Sequence, residues 1–137
     1  ATLMLDEEYQ EGPYTKAYIE ELLKRLAAAT KTKLIVLTGV YFDNTKLGAA
    51  TYDVAKNEIR YVLGEKISGS YHGTGDVFGS ALIGALMNGK PLDEAVRIAV
   101  AFTVRSISWT QKAQTELRYG VNFEANLPSY IQDLGLL

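Results

Sequence analysis

The pentapeptide His72-Gly73-Thr74-Gly75-Asp76 runs straight into the apolar segment Val77 to Met87, and this junction constrains the fold more than any other stretch. Glycines at 73 and 75 free the backbone to turn tightly. The apolar run then predicts a helix from about Gly75 to Asn88, stopped by Asn88-Gly89. Its small residues Gly79, Ser80, Ala81, Gly84 and Ala85 let a sheet approach its backbone closely. The amides of Thr74, Gly75 and Asp76 fall in the first turn, where a helix supplies no partners of its own. That end carries a partial positive charge and takes up phosphate-like anions. Asp76 enters the same space, where a base for a hydroxyl nucleophile has to stand. An anion hole beside a carboxylate suits phosphoryl transfer, in which positioning and charge stabilisation supply most of the catalysis. The same residues also make an ordinary helix start with Thr74 or Asp76 as the cap, and spacing alone leaves both readings open.

Upstream, Gly12-Pro13 punctuates the chain before a helix for which Thr15 is a candidate cap. Tyr18, Ile19, Leu22, Leu23 and Leu26 recur at helical spacing, with Glu20, Glu21, Lys24 and Arg25 on the opposite face. Leu34 to Leu37 is a continuous aliphatic run, the pattern of a strand buried on both faces. A helix followed by such a strand predicts an αβ unit of a mostly parallel, helix-covered sheet. Segments 47–54 and 58–63 flank Ala55-Lys56-Asn57 and read as a half-exposed antiparallel hairpin at the sheet margin. A further helix begins at Pro91, with Asp93 and Glu94 in its first turn. Ala95, Val96, Ile98, Ala99, Phe102 and Val104 make it largely buried and carry it to about Trp109. A last helix spans about Ser129 to Leu134. With no repeat or linker, residues 1–137 read as one compact unit.

Thr38 and Gly39 end the aliphatic strand, and ligands of open α/β sheets bind beyond the carboxyl ends of strands. The pair is therefore placed to meet a nucleotide; equally, it is a strand end turning through glycine. His72 is the single histidine, with no acidic or cysteine partners at metal spacing, and reads as a loop hydrogen-bonding residue. Lys66 and Lys112 reach far enough for a polyphosphate, although surface lysines usually carry no such role. A net charge of -2 recommends neither nucleic acid nor an anionic membrane as partner. The tyrosines lack the basic interleaving of a nucleic-acid stacking surface. No cysteine is present, which removes disulfides and thiolate metal sites and fits a reducing compartment. The run Val77 to Met87 is too short to span a bilayer. With no charged-then-apolar leader, the expectation is a cytoplasmic protein.

The block from His72 to Leu86 resembles the signature of the ribokinase-like small-molecule kinases, above all their vitamin B6 branch, the pyridoxal, pyridoxine and pyridoxamine kinases. The resemblance extends through Lys33 to Gly39 and the tail Arg118-Tyr119-Gly120-Val121-Asn122-Phe123-Glu124. The hydroxymethylpyrimidine phosphate kinases tend to carry cysteine where Asp76 stands, and the sugar kinases usually show Gly-Ala-Gly-Asp where this chain has Thr74. The fold implied is α/β, the C-terminal half of a ribokinase-like α/β/α sandwich: a mostly parallel sheet with an antiparallel margin hairpin. About half of the family's chain, including its metal-organising acids and pyridine pocket, would precede Ala1.

The resemblance implies ATP-dependent phosphorylation of the 5′-hydroxymethyl group of a B6 vitamer. Asp76 would be the base, and Gly73, Thr74 and Gly75 the anion hole. Thr38 and Gly39 would meet the ATP phosphates, and Ile67 would lie against adenine. ATP with Mg2+ is the implied co-substrate, a monovalent cation (K+) lies near the phosphates in this family, and the full-length protein would be a homodimer. Two other readings stay open: a hydroxymethylpyrimidine (phosphate) kinase of the same superfamily, and a truncated, non-catalytic nucleotide-binding module.

Overall fold

The computed structural model describes residues 1–116 and 119–137, and its contacts divide the chain into two compact units, Ala1–Leu63 and Gly64–Leu137. In the first, a 3-10 turn (Thr2–Leu5) precedes helix α1 (Lys16–Thr30) and strands β1 (Leu34–Val40), β2 (Lys46–Asp53) and β3 (Glu58–Glu65), the last crossing the division. Helix α1 begins where expected: Thr15 is extended, and its hydroxyl accepts from the Tyr18 N–H at 3.2 Å. Its apolar stripe buries Ile19, Leu22, Leu23, Leu26 and Ala27. Ile19, Leu23 and Ala27 form a core with Val40, Ala50 and Tyr52, flanked by half-buried Ile35, Leu37 and Tyr61.

The sheet order is β1-β2-β3, and β1 runs antiparallel to β2, with Leu34 opposite Asp53 and Thr38 opposite Ala49. The aliphatic run of β1 thus differs from the expected two-face burial in a parallel array. Leu34 is 48% exposed, and Ile35, Val36 and Leu37 are half-buried. An apolar run reports only that a strand is wanted near a core; the strand direction is set by the neighbour it meets. The hairpin forms as read from the sequence, and Tyr52 donates its hydroxyl hydrogen to Asn57 Oδ1 across the turn at 3.1 Å. Yet β2 is the middle strand, and Ala49 to Tyr52 are buried without alternation. These strands supply the antiparallel margin of the α/β fold.

In the second unit, α2 (Thr74–Met87), α3 (Leu92–Ala113) and α4 (Leu127–Asp133) pack together. Ala85, Ala95, Ile98 and Leu134 form its core, with Leu82 and Tyr130 against them. The small residues of α2 here serve helix packing: Tyr130 donates to the Ala81 carbonyl at 2.8 Å, and its hydroxyl occupies the space a Cβ on Gly84 would need. Helix α3 runs to Ala113, past the expected end near Trp109. Its buried hydroxyls are satisfied within the helix. Ser106 donates to Phe102 and Thr110 to Ser106, each along the helix, so neither polar group interrupts it. Among the described residues, no helix is long and apolar enough to cross a membrane.

Candidate active site

At the start of α2 the N-cap is Gly73, held left-handed at φ 79° and ψ 1°, a conformation that disfavours side chains. No side chain caps this helix. Thr74 directs its hydroxyl backwards, donating to the Tyr71 carbonyl at 3.3 Å. The first rung of the helix is Val77 N–H to the Gly73 carbonyl at 3.0 Å, so the amides of Thr74, Gly75 and Asp76 precede the ladder. A Cβ on Gly73 or Gly75 would meet nothing within 4 Å, leaving the approach to these amides open. Asp76 stands exposed in the first turn. Of the two readings open in the sequence, side-chain capping is not what the start of α2 uses. Its geometry is that of an uncapped helix end facing open space with one carboxylate beside it, able to hold an anion and accept a proton.

Ile67 lies in the same unit and lines a cleft of about 370 Å³ with Glu65, Val104, Arg105, Trp109 and Lys112. Trp109 is 51% exposed, and Arg105 is ion-paired with Asp133. An aliphatic and an indole surface with cationic neighbours can receive a flat ring carrying negative charge. From periodicity alone Trp109 marks only the end of a helix. The signal was available: Arg105 and Trp109, and Ser108 and Lys112, are each four residues apart and share a helix face.

Thr38 and Gly39 belong to the first unit. The pairing register shifts between Thr38 and Val40, and Gly39 takes φ 74°, so the end of β1 turns out of the ladder. Both residues are exposed and border a cleft of about 150 Å³ with Tyr9, Tyr14 and Tyr18. Tyr14 stacks on Tyr18 at 5.6 Å, meets Tyr41 edge-on at 5.3 Å, and donates to the Gln10 carbonyl at 3.0 Å. Burial, then the hydrogen bond and charge of Tyr9, push its phenol up to about 12.

His72 is exposed, and among the described residues no group of three or more His, Cys, Asp or Glu could hold a metal ion. Arg118, part of the tail that resembles the family, lies outside the described residues.

The sequence pattern of the phosphomethylpyrimidine kinase family matches residues 3–122. Among solved structures, pyridoxal kinase from Lactobacillus plantarum superposes with a TM-score of 0.81 at 26% identity, over 96% of this chain and 46% of that one. A proposed phosphomethylpyrimidine kinase from Bacteroides thetaiotaomicron matches in two crystal forms. The rhombohedral form gives a TM-score of 0.78 and 28% identity over 88% of this chain and 41% of that one. The orthorhombic form, with pyridoxal, gives 0.79 and 26% over 96% and 44%. The chain thus spans less than half the length of these relatives. No curated protein matches it.

Proposed function

Because the chain belongs to the phosphomethylpyrimidine kinase family, of ribokinase-like fold, we propose that it carries the catalytic part of an ATP-dependent kinase acting on the 5′-hydroxymethyl group of a B6 vitamer. The observation that carries this reading is the uncapped, left-handed glycine start of α2, with Asp76 in its first turn and open space before it. In the reaction, an Asp76 oxygen accepts the hydroxyl proton as the alcohol oxygen bonds to the γ-phosphorus of ATP. The bond from that phosphorus to the bridging oxygen of ADP breaks, and the Thr74, Gly75 and Asp76 amides hold the charge on the transferring group. Thr38 and Gly39 are proposed as contacts to ATP phosphates, and Ile67 as an adenine contact in its cleft beside Trp109. Mg2+ supplies charge neutralisation of the β- and γ-phosphates.

Support for the vitamer comes from Asp76, which stands where the pyrimidine branch tends to carry cysteine, and from the related Bacteroides structure with pyridoxal. The family description itself favours the alternative, a hydroxymethylpyrimidine (phosphate) kinase. Assays of the longest encoded protein with MgATP and, separately, pyridoxal, pyridoxamine and hydroxymethylpyrimidine distinguish the two; product from the pyrimidine alone would sink the B6 reading. The same preparation tests the remaining proposals: activity in K+ against Na+ for a monovalent cation, sedimentation for a homodimer, and cell fractionation for a cytoplasmic location. One further reading is a nucleotide-binding module without turnover, which rests on the open, uncapped amides at the start of α2 alone. Calorimetric binding of ATP by the 137-residue chain with no phosphorylated product would support it.

A further inference from the structure

We infer that Thr110 and Gly120 are positioning residues that brace the backbone of His72, and through it the loop Gly73 to Asp76. Thr110 is 1% exposed on α3, a position where an aliphatic side chain would pack as well. Its hydroxyl does two things: it donates to the Ser106 carbonyl at 2.7 Å and accepts from the Asn122 N–H at 2.7 Å. The amide is half-buried and the hydroxyl that receives it is buried, so the bond fixes where residue 122 returns to the helix. Next to it Val121 is buried, and Asn122 also donates from its side chain to Thr115 at 3.1 Å. Gly120, one residue further back, adopts φ 79°, and a Cβ there would stand 3.4 Å from the His72 carbonyl oxygen. That distance is ordinary van der Waals contact, so it is the left-handed conformation that favours glycine at 120. Residue 120, held by the burial of Val121 and the bonds of Asn122, lies against residue 72. His72 immediately precedes Gly73, whose carbonyl accepts the first rung of α2.

The functional part of this inference rests on the kinase reading; the mechanical part does not. The test uses the whole chain and the variants Thr110→Val, which keeps the shape and loses the acceptor, Thr110→Ser, which restores it, and Gly120→Ala. Backbone order parameters of residues 72–76 report the brace directly. They are expected to fall from about 0.85 to below roughly 0.6 in Thr110→Val and Gly120→Ala and to recover in Thr110→Ser, with α1 unchanged. In the active full-length enzyme, kcat is expected to fall by tens-fold, towards the roughly hundredfold cost of a 1 Å misplacement, while KM for the alcohol stays constant. Unchanged order parameters in folded Thr110→Val and Gly120→Ala overturn the inference, whatever the activity. Should Thr110→Val unfold, Gly120→Ala alone decides, because residue 120 is half-exposed and Thr110 is left intact. Loss of order in the loop, with no nucleotide binding even by the wild-type protein, refutes the kinase reading and leaves the brace standing.

Discussion

Gly75→Val separates a phosphate site from a simple helix start. Gly75 has an ordinary helical backbone, and a Cβ built on it meets no atom of the surrounding chain within 4 Å, so the first carbon of the new side chain has room. Valine is a somewhat better helix former than glycine, by a few tenths of a kcal/mol, and the unfolded chain loses freedom as well. Stability is therefore expected to stay within about 0.5 kcal/mol, roughly 1–3 °C in Tm for a domain of this size. Ligand binding is a different matter. The isopropyl group would stand over the amides of Thr74, Gly75 and Asp76, and a hydrogen bond to a charged group contributes about 1.5–3 kcal/mol. Displacing one such contact weakens MgATP by roughly 10- to 150-fold, at about 1.4 kcal/mol per factor of ten. Calorimetric melting and titration of MgATP on one preparation read both quantities. Wild-type affinity in a well-folded Gly75→Val protein would remove the phosphate from this loop. A large fall in Tm with affinity following the folded fraction would return the loop to a purely structural role.

Asp76→Asn keeps the shape of the helix start and removes the base. Steady-state assay should find kcat lower by about 10²- to 10⁴-fold with MgATP affinity little changed, and near-normal turnover would remove Asp76 from the mechanism. Thr15→Ala takes away the acceptor for the Tyr18 N–H and should cost about 1 kcal/mol in urea unfolding, within a cap range of roughly 0.5–2. Alkaline titration tests the tyrosine cluster. The Tyr14 phenol is raised from 10.0 to about 12, so its contribution to stability is intact below pH 10.0 and is lost as pH rises through about 12. Comparing tyrosinate absorbance of the wild type and Tyr14→Phe should locate the missing phenol at the high end of that window. A missing phenol that titrates near 10.0 would contradict the burial argument.

Much of this molecule was determined by its sequence, wherever the controlling interaction is local. The Thr15 cap, the Ile19-Leu22-Leu23-Leu26 stripe, the turn at 54–57 and the glycine start of α2 each depend on residues within a few positions of one another. Short-range hydrogen bonding and periodicity settle such features whatever surrounds them. Tertiary structure decided the rest. The aliphatic run at Leu34–Leu37 specifies a strand but not its partner, and β1 came to lie antiparallel to β2 with Leu34 half in solvent. A helix start with Thr74 and Asp76 near it does not reveal which is used as a cap; the left-handed Gly73 and the turn of Thr74 towards Tyr71 decided that neither is. Trp109 acquired meaning only when α3 continued to Ala113 and placed it in a cleft with Ile67, dozens of residues away in the chain. The bond from Asn122 to Thr110 belongs to the same class. Each depends on where distant backbone arrives, and that is fixed by burial and by satisfying buried polar groups over the whole unit, which no local pattern encodes.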